Sequence, residues 1–117
     1  MRRYVSSRLY NAIGLCMKAG KCRSGDGVVE DLLKKGGVLL ILLDEGASDA
    51  TKDRYEHACS RRKIPLLLCR NAGEAIGKPG RMVIAVTDPG FAGMITAAYE
   101  AETMKTTDGP EPENNQR

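Results

Sequence analysis

The sequence predicts one domain of the α/β class, an α/β/α sandwich with helices on both faces of a central sheet. Three observations lead there. The chain has 117 residues and 42% apolar content, enough for one adequate core and no second domain. Helical and extended patterns alternate along it, which puts helices on both sides of one sheet. Val38 to Leu43 is an unbroken apolar run, the pattern of a strand buried on both faces. Tryptophan is absent and Phe91 is the single phenylalanine, so the core must be aliphatic.

Each element follows in order. Ser6 and Ser7 precede an apolar stripe at helical spacing, Leu9, Ala12, Ile13, Cys16 and Met17, and Gly20 ends that helix. Lys21 to Ser24 is a short extended link or strand. A second helix opens near Gly25 or Asp26 with Val28, Val29, Leu32 and Leu33 inward. Lys34 and Lys35 suit its negative end and Gly36-Gly37 stop it. The central strand gives way to a polar loop, Asp44 to Ser48, and then a third helix, Asp49 to Arg62, with Ala50, Tyr55, Ala58 and Cys59 as inner positions. Ile64-Pro65 leads into a strand over Leu66 to Cys69, and Asn71 caps a short helix through Ile76. Gly77-Lys78-Pro79-Gly80 is a turn, followed by a strand from Met82 to Thr87. Asp88 at N-cap and Pro89 at N1 open the last helix, expected to reach about Glu102 with Phe91, Met94, Ile95 and Ala98 inward. Residues 106–117 carry no apolar side chain and cannot offset their ordering entropy. The domain is therefore expected over residues 1–102, with 103–117 an acidic disordered tail.

Charge is unevenly spread within a net +3. The first 25 residues carry Arg2, Arg3, Arg8, Lys18, Lys21 and Arg23 and no acid, while residues 100–117 carry five acids and two bases. A cationic surface attracts phosphate and releases counterions on binding; a merely well-solvated basic start fits the same charges. The cysteines, Cys16, Cys22, Cys59 and Cys69, form no C-x-x-C pair, and His57 and Cys59 diverge on a helix, which argues against zinc. Cys16 and Cys69 lie in apolar stretches and read as buried thiols. No apolar segment follows the basic start as in a signal peptide, and none is long enough to span a bilayer, so a reducing cytoplasm and no membrane partner are expected.

Catalysis has little support. His57 is the single histidine and no acid stands at a spacing that would orient it. Neither an enzyme nor a cofactor is expected. Ser24-Gly25-Asp26-Gly27 opens a helix but lacks the Lys-Ser/Thr of a Walker loop and the third glycine of G-x-G-x-x-G. Two readings stay open for it. Free N–H groups at a helix N-terminus bind phosphate oxygens and glycines admit a close backbone, with Lys18, Lys21 and Arg23 flanking. Alternatively, Ser24 caps the helix and the glycines turn the chain. Gly77-Lys78-Pro79-Gly80-Arg81 is a second basic loop, either a plain turn or, with Lys78 and Arg81, one wall of a cationic cleft.

Leu15 to Lys21, Ser24-Gly25 with Gly36, Val38 to Ser48, Ile64-Pro65, Ala75 to Pro79 and Val83 to Ala92 form a recognisable set. Taken together, these segments resemble the kink-turn RNA-binding superfamily of ribosomal protein L-seven-Ae, and within it the bacterial YlxQ-type family. The resemblance covers about residues 6–100. It implies a sandwich around a four-stranded mixed sheet. It also implies binding of structured RNA, ribosomal RNA included, at the second helix's N-terminus, the loop after the central strand and the loop before the last strand. Lys18, Lys21, Arg23, Ser24, Gly25, Asp26, Gly27, Lys78 and Arg81 are the candidate RNA-binding residues. Strong kink-turn binders carry an asparagine, a glutamate and a lysine where this chain has Gly27, Val28 and Asp31, and an acid where it has Ala47. Without that direct readout, phosphate contacts and shape remain, and weaker, salt-sensitive binding is expected. The same losses fit a module that has turned to a ribosomal or other protein partner.

Overall fold

The computed structural model describes residues 7–108, with side chains from Arg8 to Glu102. The elements are α1 Ser7–Lys18, β1 Cys22–Ser24, α2 Asp26–Lys35, β2 Leu40–Asp44, α3 Asp49–Arg62, β3 Leu66–Cys69, α4 Ala72–Ala75, β4 Val83–Val86 and α5 Pro89–Asp108. The sheet order is β1-β4-β2-β3. β4 is antiparallel to both β1 and β2, and β3 is parallel to β2, so the sheet is mixed.

β2 is interior on both edges and both faces. Leu40, Ile41, Leu42 and Leu43 are all fully buried, which is why the segment shows no alternation. Its even positions, Leu40 and Leu42, pack with Ile84 and Val86 under α1, α4 and α5. Its odd positions, Ile41 and Leu43, pack with Val83 and Ala85 under α2 and α3. Each face has its own core, and the three layers follow. A fully buried aliphatic side chain contributes about 1.5–3 kcal/mol, so this strand is the fold's main anchor.

Several boundaries and faces differ from the expected ones. β2 starts at Leu40, where its pairing with β4 begins; Leu39 is 39% exposed, although its N–H already bonds Val86 O at 2.8 Å. Of the inner positions expected for α2, α3 and α5, Val28, Ala50 and Met94 turn out exposed; Val29, Tyr55, Cys59, Ile95 and Ala98 are buried. α5 continues to Asp108, well past Glu102, and Gly109-Pro110 is the first helix-breaking pair after its start. Asp88 caps it as expected, its carboxylate accepting from Phe91 N at 2.9 Å. Ser6 as a cap and the tail beyond Asp108 lie outside the described residues. Among those described, no helix is long and apolar enough to cross a membrane.

Candidate functional site

The sheet topology gathers loops at one end. β1, β2 and β3 all finish there, at Ser24, Asp44 and Cys69, and antiparallel β4 begins there, at Val83. Gly25 N donates to Val83 O at 3.1 Å and Asp44 N to Met82 O at 2.8 Å, which stitches the entry to α2 and the loop after β2 onto the segment before β4.

Gly25 is the N-cap of α2 with φ 102, a conformation that favours glycine. A Cβ there would also stand 2.9 Å from Arg81 Nη1, so the guanidinium would have to shift. That nitrogen donates to both the carbonyl and the hydroxyl of Ser24, each at 3.1 Å. Ser24 therefore does not cap α2; its hydroxyl is taken by an arginine 57 residues away. The first rung of α2 is Val29 N to Gly25 O at 2.9 Å. The N–H groups of Asp26, Gly27 and Val28 thus lack intrahelical partners and carry the positive end of the dipole.

Asp26 is turned the other way. Its carboxylate accepts from Tyr55 Oη in a short hydrogen bond and from Arg54 Nη2 at 3.1 and 3.2 Å. The Tyr55 hydroxyl, and after it Arg54, hold this carboxyl below the ordinary aspartate value, while burial first and then Asp26 push the Tyr55 phenol up. Arg54 also pairs with Glu30 at 2.6 Å and lies 5.1 Å from the Tyr55 ring centre. Arg54 thereby offsets one of the two acid charges beside the helix entry, and the Asp26 carboxylate is drawn toward α3.

Asp44 fixes the second loop. Its two oxygens accept from Gly46 N at 2.7 Å and Ala72 N at 3.0 Å, and Ser48 caps α3 through Thr51 N at 3.2 Å. Gly73 in α4 supports the third: its carbonyl accepts from Lys78 N at 2.8 Å, and a Cβ would stand 2.5 Å from Lys78 O. The three loops enclose a cleft of about 330 Å³ between Gly25, Gly46 to Ser48 and Gly80 to Val83.

The candidate residues divide by position. Ser24, Gly25, Asp26, Gly27 and Arg81 come together at the helix entry. Arg23 is exposed on edge strand β1, opposite Ala85, and Lys78 is exposed in the third loop, its charge felt at Cys22. Lys18 and Lys21 are at the other end of the sheet, where Lys21 O accepts from Thr87 N at 3.0 Å. Arg54 and Gly73 carried no local signal in the sequence, and Tyr55 was legible only as an inner position.

Comparison with known proteins gives the following. No protein-family profile matches the chain. It is 35% identical over 91 residues to the RNA-binding protein YlxQ of Bacillus subtilis, covering 75% of this chain and 91% of that protein. A solved structure of a Bacillus halodurans protein of unknown function has 29% identity and a TM-score of 0.76, over 80% of this chain and 98% of that one. A Giardia lamblia 15.5 kD RNA-binding protein has 13% identity and a TM-score of 0.67, over 89% and 92%, a likeness of fold alone.

Proposed function

The chain belongs to the YlxQ-type family of the L-seven-Ae superfamily, and from that premise we propose that it binds structured RNA without catalysing a reaction. The bound element is a bent RNA backbone, ribosomal RNA being the foremost class, in the cytoplasm. One observation carries the reading: Arg81 bonds Ser24 and so sets a cation directly against the free N–H groups of α2. A phosphate in the cleft meets the N–H groups of Asp26 and Gly27 and the guanidinium's remaining donors. Arg23 and Lys78 add charge at the margins.

Gly27 offers no side chain and Val28 no hydrogen bond, so bases are not read as the asparagine and glutamate of strong kink-turn binders read them. Asp31 is already paired with Lys35 at 3.0 Å. Affinity then rests on phosphate charge and shape, with reduced kink-turn preference. The test is a titration of wild type and Arg81→Gln against a kink-turn RNA and a straight duplex of equal length at two salt concentrations. Wild type should prefer the bent RNA modestly, and the variant should lose that preference. Bent-RNA affinity unchanged in Arg81→Gln would refute this cleft as the site.

A second reading, a protein-interaction module on the same fold, is favoured by the exposure of Val28 and Met82, each 40%, beside the cleft. Association with ribosomal protein that survives nuclease would support it.

A further inference from the structure

The end of the molecule opposite the cleft is also cationic. α2 and α3 run the same way, each following a strand that ends at the cleft, so their C-termini finish together at the far end. A hydrogen bond joins those termini: Arg62 Nε donates to Leu33 O at 3.0 Å, and Arg62 Nη1 to Ala58 O at 3.2 Å. Lys34 and Lys35 follow Leu33 directly, and Arg61 and Lys63 flank Arg62, so five cations lie within two residues of one bond. Lys34, Lys35, Arg61 and Lys63 are exposed.

Opposing charge is scarce there. The sequence holds no acid from residue 32 to 43 or from 57 to 73. Asp31 pairs with Lys35, and Asp88 at the same end of the sheet caps α5. Lys21 stands at this end as well. Favourable interaction with two helix dipoles accounts for one or two cations near each terminus. Lys63, the left-handed C-cap of α3 at φ 59, adds a third cation to that terminus and is exposed.

We propose that this end is a second RNA-binding surface, which grips a duplex backbone through point charges and is independent of the cleft. The ligand is a phosphodiester backbone because the described residues offer point charges here, the recipe for sequence-independent backbone contact. α2 alone separates the two ends by about 15 Å, so one protein can hold two RNA segments at once.

The experiment uses the full chain. With a kink-turn RNA immobilised and saturated with protein, a labelled straight duplex is added and its capture measured across a salt series. Wild type should capture it, and Lys34→Gln/Arg61→Gln/Lys63→Asn should not. Three lost phosphate contacts lower the slope of log K against log salt by roughly 2 to 3 for the duplex. Arg62 is left in place because it ties α2 to α3, and Lys34→Arg/Arg61→Lys/Lys63→Arg, which preserves the charge, should capture as wild type does. Failure of the cleft reading appears separately, as unaltered immobilised-RNA binding in Arg81→Gln. In that event the duplex and the glutamine variant are compared on free protein. Wild-type slope and affinity in the glutamine variant overturn the proposal, as does preferential capture of polyglutamate, which points to an acidic protein instead.

Discussion

Gly73→Ala tests how the cleft is supported. Gly73 sits inside α4 without a positive φ, so alanine is conformationally allowed and favoured there over glycine by about 1 kcal/mol in a helix interior. Space opposes it. The added carbon meets Lys78 O at 2.5 Å, Arg81 O at 2.8 Å and Arg81 N at 2.9 Å, all backbone atoms that no side-chain rotation can clear. Overpacking of this kind costs about 1–3 kcal/mol, so the net loss is about 1 kcal/mol and the fall in Tm about 4 °C. The local consequence is larger. To restore ordinary contact at 3.4 Å the loop must retreat by about 0.9 Å. The Arg81–Ser24 bonds, at 3.1 Å, have only a few tenths of an ångström to spare. Bent-RNA affinity should fall about tenfold, the equivalent of one phosphate anchor, while far-UV circular dichroism stays unchanged. A raised Tm with unaltered RNA affinity would refute the reasoning, because the helix gain would then have prevailed and the loop would not rest on Gly73.

Two further outcomes are expected. Tyr55→Phe keeps the buried ring but removes the donor to the Asp26 carboxylate, a loss of about 1 kcal/mol once solvent screening of this half-exposed acid is allowed for. Because Asp26's folded pKa is depressed, that stabilisation is present above the ordinary carboxyl value near ~4 and disappears as pH falls through the lower native value. Urea midpoints of wild type and variant should therefore differ at neutral pH and converge in strong acid; a constant difference would rule the carboxylate out. Burial pushes the Cys16 and Cys69 thiols up to about 12, and Cys22 and Cys59 are raised for the same reason. An aromatic disulfide reagent should accordingly find none of the four in the folded protein at pH 8 and all four in denaturant. Rapid stoichiometric labelling without denaturant would contradict the packing.

What the sequence disclosed follows from how local each signal is. β2 was legible because burial on both faces leaves an unbroken apolar run, and the start of α5 because Asp88-Pro89 is a complete cap within two residues. The glycine-rich entry to α2 was legible for the same reason. The outward faces of α5 were not: Pro89 to Tyr99 holds no charge, so periodicity gives no sign of which side meets solvent, and Met94 fell on the wrong one. Lys21 looked like a neighbour of Gly25, yet each strand residue advances about 3.3 Å and β1 carries the chain from one end of the sheet to the other. The grip of Arg81 on Ser24 and of Arg54 on Asp26 joins residues 57 and 28 apart; only the folded topology brings such partners together.

The sheet order also sets when the cleft can exist. β2 and β3 are joined by one crossover helix and can pair early, whereas β1 touches only β4, and Cys22 meets Val86 after almost the whole domain has been made. Loop closure of that length belongs late in folding, since contacts of high sequence separation must recover the entropy spent on closing the chain. A growing chain that has passed residue 76 but not 81 already holds α2 and the loop after β2, and lacks the arginine and the strand that join them. Competence for the proposed ligand is thus withheld until the last strand docks, so binding through this cleft would report that the sheet is complete.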